Sequence, residues 1–144
     1  MARIQIDLPE TFLYTAELPV RVSDLNYGAH VGHDSILTLM QEARVMFYRS
    51  LGFASEVSFE ASVGQIIADA ALQYKSESFL GDVLLIHIAV VDMTKVGFDM
   101  VYRVDNKATG KEVARGKTGI VCFDYEKRKV AGIPEILKGK LGLV

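Results

Sequence analysis

A single long amphipathic helix stands ahead of a succession of β-type runs, and that order limits the fold more than any other feature of the chain. From Asp34 or Ser35, either able to cap the first turn, apolar residues recur at Ile36, Leu39, Met40, Ala43, Met46, Phe47 and Leu51, the period of a helix, and Gly52 stops it. With Ile36 at the centre of the apolar face, about 100° per residue places Glu42 roughly 120° away, on the flank beside Ser35 and Met46. Glu42 is therefore expected to be partly enclosed, with Tyr48 and Arg49 on the opposite, wetter surface.

The rest reads as strands. Thr11 to Val22 alternates loosely before Pro19, which a strand tolerates only at an edge, a bulge or its end. Beyond a connection from Phe53 to Ala61, Ile66, Ala68, Ala70, Leu72 and Tyr74 alternate with Asp69, Gln73 and Lys75. Gly81-Asp82 makes a turn. Val83 to Val91 is apolar on both faces apart from His87, so it needs cover on both sides. Phe98 to Val104 alternates again, Asp105 to Gly110 turns the chain, and Lys111 to Tyr125 forms the last and longest strand. Gly116 and Gly119 mark bulges or close approaches in it. Pro134 opens a short closing helix, Glu135 to Lys138. Strand, long helix, then four strands give one α+β domain over 1–144 with an antiparallel sheet. One helix covers one face; the strand covered on both sides calls for a second copy of the chain, so the packing predicts a homo-oligomer.

Composition excludes several classes. Sixteen Lys and Arg against 18 Asp and Glu leave a formal charge of −2 without a basic run, which offers no footprint for nucleic acid. No apolar stretch approaches the length of a membrane span, and the N-terminus lacks a signal-peptide core. The lone Cys122 cannot pair internally, so a reducing, cytoplasmic compartment is expected. Chemistry concentrates in Asp24 to His33, where two imidazoles, a carboxylate, an amide and two glycines precede the helix. His30, His33 and Asp34 lie close in sequence, but no further Cys or His completes a metal site.

Asp24-Leu25-Asn26 followed by His30-Val31, Glu42-Ala43-Arg44 on the helix, Tyr74, the Gly81-Asp82 turn, Ala114-x-Gly116 and Ile133-Pro134 together resemble the hotdog-fold acyl thioesterases. The likeness is to the 4-hydroxybenzoyl-CoA thioesterase-like group and the plant acyl-ACP thioesterases, and it spans nearly the whole chain. It implies a five-stranded antiparallel sheet wrapped around one long central helix. It further implies a dimer or dimer of dimers and an acyl-CoA or acyl-carrier-protein substrate, with CoA entering only as part of that substrate and no cofactor. The second acid of the family's D-x-D loop falls on Asn26, which cannot act as a base.

Thioester hydrolysis needs a group to activate water and donors aimed at the developing oxyanion. His30, which matches the family histidine, and Glu42 are the candidates for acid–base work. Asn26 is assigned to positioning water or substrate, and Asp24 to bracing the loop or to a direct role. Gly28, Gly32 and the helix start suit an oxyanion hole; His33 borders it, and Lys75 and Lys117 are candidates for CoA phosphates. Two alternatives remain at this level: a hotdog dehydratase acting on a 3-hydroxyacyl thioester, and a non-catalytic acyl-thioester binding module.

Overall fold

The computed structural model describes residues 2–142. Strand β1 (Tyr14–Pro19) leads through a 3-10 turn (Val22–Asp24) to helix α1 (His33–Ser50). Strands β2 (Val63–Tyr74), β3 (Val83–Val91), β4 (Gly97–Asn106) and β5 (Glu112–Asp124) follow, then the short β6 (Lys129–Val130) and α2 (Glu135–Lys140). The sheet runs β1-β3-β4-β5-β2, antiparallel throughout, with β6 beside β5. The α+β hotdog architecture is thus present, its five long strands extended by a two-residue sixth.

The helix stripe lies where its period puts it: Ile36, Leu39, Met40, Ala43 and Phe47 are buried against Leu84, Ile86 and Ile88 of β3 and Met100, Tyr102 and Val104 of β4. Burying each large apolar side chain contributes about 1.5–3 kcal/mol. Gly116 and Gly119 are both points of close approach, since a Cβ would lie 2.4 Å from Met40 Sδ at the first and 2.4 Å from Asp69 Oδ1 at the second. The bulge falls elsewhere. Pairing shifts between Ile67 and Asp69 of β2, so the alternation expected from Ile66 to Tyr74 is broken. Gln65 before the bulge reaches the helix through Tyr48, Leu72 after it approaches Met40 beside Gly116, and Ile66 faces away.

Two helix positions depart from expectation. Tyr48 is buried, its hydroxyl donating to Gln65 Oε1, and Glu42 is exposed. On the helical wheel both lie about 120° from Ile36, on opposite flanks. The segment 53–62 decides between them: Phe59 packs 5.0 Å from the Tyr48 ring and Phe53 packs on Phe59. On the same flank the buried Arg44 donates to Glu56 Oε1 and, at 3.3 Å, to the Tyr102 hydroxyl, which pairs with Thr118. The first turn also lacks the expected side-chain cap; Gly32 is the N-cap residue, and neither Asp34 nor Ser35 fills that place.

Beyond the sheet's other face, cover for β3 comes partly from the same chain. Phe12 lies 5.4 Å from the His87 ring, and residues 4–7 run beside Ala71, Val91 and Val101, with Arg115 donating to Ile6 O at 2.9 Å. His87 itself is satisfied, its Nε2 donating to Asp105 at 3.2 Å and its Nδ1 accepting from Thr15. Because Arg44 is 4% exposed, Glu56→Gln leaves a buried guanidinium without its counter-charge; urea unfolding is expected to show a loss of about 2–3 kcal/mol, and a loss below 0.5 would rule out this pair as a brace.

Candidate active site

The polar loop folds back on itself between β1 and α1. Leu25 bridges Val31, Asn26 N–H donates to His30 O at 2.9 Å, and Ala29 N–H donates to Asn26 O at 3.0 Å. This turn requires Ala29 at φ 61°, an uncommon conformation for a residue with a side chain. Asp24, 3% exposed, braces the base of the loop. Its Oδ2 accepts the Arg21 backbone N–H at 2.8 Å, its Oδ1 accepts Arg21 Nη2 at 3.0 Å, and its carbonyl accepts Gly32 N–H at 3.0 Å. Burial works to raise the Asp24 carboxyl, yet the hydrogen bonds and charge of Arg21 outweigh it and hold the group below the usual carboxylate range.

Beside this loop lies a cleft of about 360 Å³, lined by Asn26, His30, His33, Ile36 and Val113 and by the strand end and loop from Tyr74 to Ser78. The volume suits a small ligand or one end of a larger one. Backbone bonds staple its two walls together: Val31 N–H donates to Ser78 O at 2.9 Å, and Lys75 N–H donates to Val113 O at 2.8 Å. The Tyr74 hydroxyl donates to His33 O at 3.0 Å, and burial, then the Asp34 charge, pushes its pKa up. His30 donates from Nδ1 to Val31 O at 3.3 Å, which leaves Nε2 as the ring nitrogen available to take a proton. That nitrogen lies 4.0 Å from Glu77 Oε1. A Cβ on Gly28 would sit 2.9 Å from it, so this glycine makes room for the imidazole.

The structure gathers only part of the expected set here. Asn26, His30, His33 and Lys75 border the cleft; Asp24 stands behind it as a brace. Gly28 and Gly32 do not have free amides, since Gly28 N–H donates to Asn26 Oδ1 at 2.9 Å and Gly32 N–H to Asp24 O. Among the described residues, the amides at this helix start without a partner are those of His33, Asp34 and Ser35, because the first bond of α1 is Ile36 N–H to Gly32 O at 3.2 Å. Glu42 does not line the cleft; it is exposed, within electrostatic reach of Arg21. Lys117 is also elsewhere, donating to Asp69 Oδ1 at 2.8 Å beside Asp99. Sequence reasoning missed Glu77 and Ser78, whose one signal is a polar trio, Ser76 to Ser78, between two apolar runs. Among the described residues, no three of His, Cys, Asp and Glu gather as metal ligands. Cys122 is fully buried, its thiol pushed up to about 11 by burial.

The Asp24 brace carries a pH signature. With its folded-state pKa depressed, its contribution is complete above about pH 4 and is lost as pH falls through the lowered value. Asp24→Asn is expected to cost about 1–2 kcal/mol at pH 7, with the melting temperatures of variant and wild type converging in acid. A gap unchanged from neutral pH to pH 3 would show that charge on Asp24 does not hold the loop.

Comparison with known proteins addresses the family and the fold. A family profile described as the Thioesterase-like superfamily matches residues 20–141. The Synechocystis sp. protein named "Putative esterase sll0410" is 30% identical over 118 residues, 79% of this chain and 70% of that protein. Slr0204, a 1,4-dihydroxy-2-naphthoyl-CoA thioesterase from Synechocystis, superposes with a TM-score of 0.82 at 20% identity, covering 90% of this chain and 95% of its own. BH1999, a gentisyl-coenzyme A thioesterase, superposes at 0.78 with 20% identity, covering 89% and 99%. The two solved structures share the fold, and the profile and the Synechocystis protein sll0410 carry the kinship: the chain belongs to the thioesterase-like superfamily, in its hotdog fold.

Proposed function

We propose that the protein hydrolyses an acyl-CoA thioester in the His30 cleft. The observation that carries this reading is one cleft lined both by His30, whose Nδ1 is committed to Val31 O, and by His33, the first residue of α1, whose N–H has no partner among the described residues. In the proposed step, Nε2 takes a proton from water while the water oxygen bonds to the thioester carbonyl carbon. The carbonyl π pair moves to oxygen, facing the His33, Asp34 and Ser35 amides, where the positive end of the helix dipole stabilises it. Collapse breaks the C–S bond, and the departing thiolate takes the proton back from the imidazolium, leaving free acid and thiol. Asn26 has its Oδ1 occupied by Gly28 N–H, and its side-chain Nδ2 group, without a partner among the described residues, is available to orient water or substrate.

CoA is favoured over an acyl-carrier protein because both solved relatives named above act on CoA thioesters. Both also carry ring acyl groups in their names, and a cleft walled by Tyr74, Ile36 and Val113 supports an aromatic or short acyl chain. Lys75, 3.7 Å from Glu112, is the cation at hand for a phosphate. A homodimer, alone or paired again, is supported by β2, an unpaired sheet edge on which Ile67 and Tyr74 remain 42% and 50% exposed. A second copy is also what would be required to bring the exposed Glu42 near a cleft. A reducing, cytoplasmic setting fits the buried free Cys122.

Thiol release from a panel of aromatic, short-chain and long-chain acyl-CoAs tests the reading. His30→Ala is expected to lower kcat/KM by about 10²-fold or more on the preferred substrate, and unchanged turnover would remove His30 from the chemistry. Binding of acyl-CoA without thiol release from any member would favour a binding module instead. Light scattering at micromolar concentration is expected to give twice the 15.9 kDa chain mass or a higher multiple; a species of single-chain mass alone would contradict the dimer.

A further inference from the structure

Across the cleft from His30 stands a carboxylate that none of the expected site residues accounts for. Glu77 Oε1 lies 4.0 Å from His30 Nε2, too far for a direct hydrogen bond but close enough for one water to touch both. Its place is held by backbone and by neighbouring side chains. The strand end before it is fixed by Lys75 and Ser76 N–H to Val113 O and by Ser76 Oγ to Glu112 O at 2.8 Å, and the residue after it by Val31 N–H to Ser78 O. That last bond joins the Glu77 wall directly to the residue following His30.

A second observation marks the same wall. Ser78 is 2% exposed, and its Oγ is the one buried side-chain polar atom without a hydrogen-bond partner among the described residues. It lines the cleft. Its hydroxyl is closed off from solvent and leaves one unmet hydrogen bond inside the wall that carries Glu77. The other titratable groups lining the cleft are His33, Tyr74 and Lys75. Tyr74 is committed to His33 O and Lys75 sits beside Glu112, so Glu77 is the carboxylate left facing His30.

We infer that Glu77 is the positioning residue for His30. Resting on thioester hydrolysis in this cleft, the inference makes Glu77 take the place of the loop acid that Asn26 lacks, supplied from the opposite wall. The reacting water gives one hydrogen bond to His30 Nε2 and the other to Glu77 Oε1, which sets its lone pair toward the thioester carbonyl. When Nε2 takes the proton, the new N–H is beside the carboxylate, so the imidazolium forms next to an opposite charge and then returns its proton to the leaving thiolate. Glu77 neither gains nor loses a proton over the cycle. Its side chain is 66% exposed, so solvent screens the pair; an acyl group filling the cleft lowers the local dielectric and strengthens the interaction.

The test compares wild type with Glu77→Gln and Glu77→Asp by steady-state kinetics on the best acyl-CoA and by NMR of the imidazole ring nitrogens. Glu77→Gln is expected to lower kcat about 10- to 100-fold with KM changed no more than about twofold, Glu77→Asp to recover part of the loss, and the His30 ring-nitrogen signals to move while those of His87 stay. Unmoved His30 signals would overturn the pairing whatever the turnover. Moved signals with unchanged kcat would overturn its part in the reaction. If wild type releases no thiol, the thioesterase reading fails, while the ring-nitrogen comparison still decides whether Glu77 and His30 are paired.

Discussion

Much of this site depends on a buried carboxylate that takes no part in the proposed chemistry. Asp24 closes a ring of hydrogen bonds with Arg21 through its side chain and receives Gly32 N–H through its backbone. Those bonds fix the two ends of the loop bearing Asn26 and His30, and Gly32 is also the residue from which α1 starts. The orientation of His30 and the direction in which the unpaired helix amides point are thus set by one constraint. The Val31–Ser78 bond extends it to the opposite wall, so loop, helix start and the backbone that carries Glu77 form one connected framework. Positioned groups of this kind are effective because their geometry is fixed before substrate arrives.

The architecture was legible because it rests on periods. The span expected for Val83 to Val91 coincides with β3, and α1 begins one residue ahead of Asp34, because both elements bury a regular stripe. What the period could not resolve was symmetry about that stripe. Glu42 and Tyr48 are equivalent on a helical wheel, and only the aromatic packing of Phe53 and Phe59 in an irregular segment settles which flank is covered. The bulge at Ala68 escaped for a similar reason: alternation of small and apolar residues continues through it while the faces exchange. The doubly apolar run of β3 calls for another copy as its second cover, whereas residues 4–7 and Phe12 supply some of it, which no local pattern announces.

Within the site, legibility followed chain proximity. Asn26, His30 and His33 stand close together in sequence, and the structure keeps them together at the cleft. Gly28 and Gly32 were read for their amides, but the loop consumes both internally, and Gly28 serves instead by giving space to the imidazole. Glu77 and Ser78 are more than forty positions from His30 along the chain and reach it only because β2 runs back past the start of α1. Lys117 shows the reverse: a basic residue on the last strand, expected near the groove, is neutralised by Asp69 and Asp99 away from the cleft.

The account's central claim concerns where the thioester sits, and a crystal structure with a non-hydrolysable acyl-CoA ketone, in which CH2 replaces the thioester sulfur and the carbonyl is kept, tests it most directly. The account predicts the carbonyl-equivalent carbon between His30 Nε2 and the first turn of α1, with its oxygen about 3 Å from the His33 to Ser35 amides and a water bridging His30 and Glu77. An analogue seated with its acyl end elsewhere, such as the hollow between residues 4–7 and Lys117, and with this cleft empty, would contradict it.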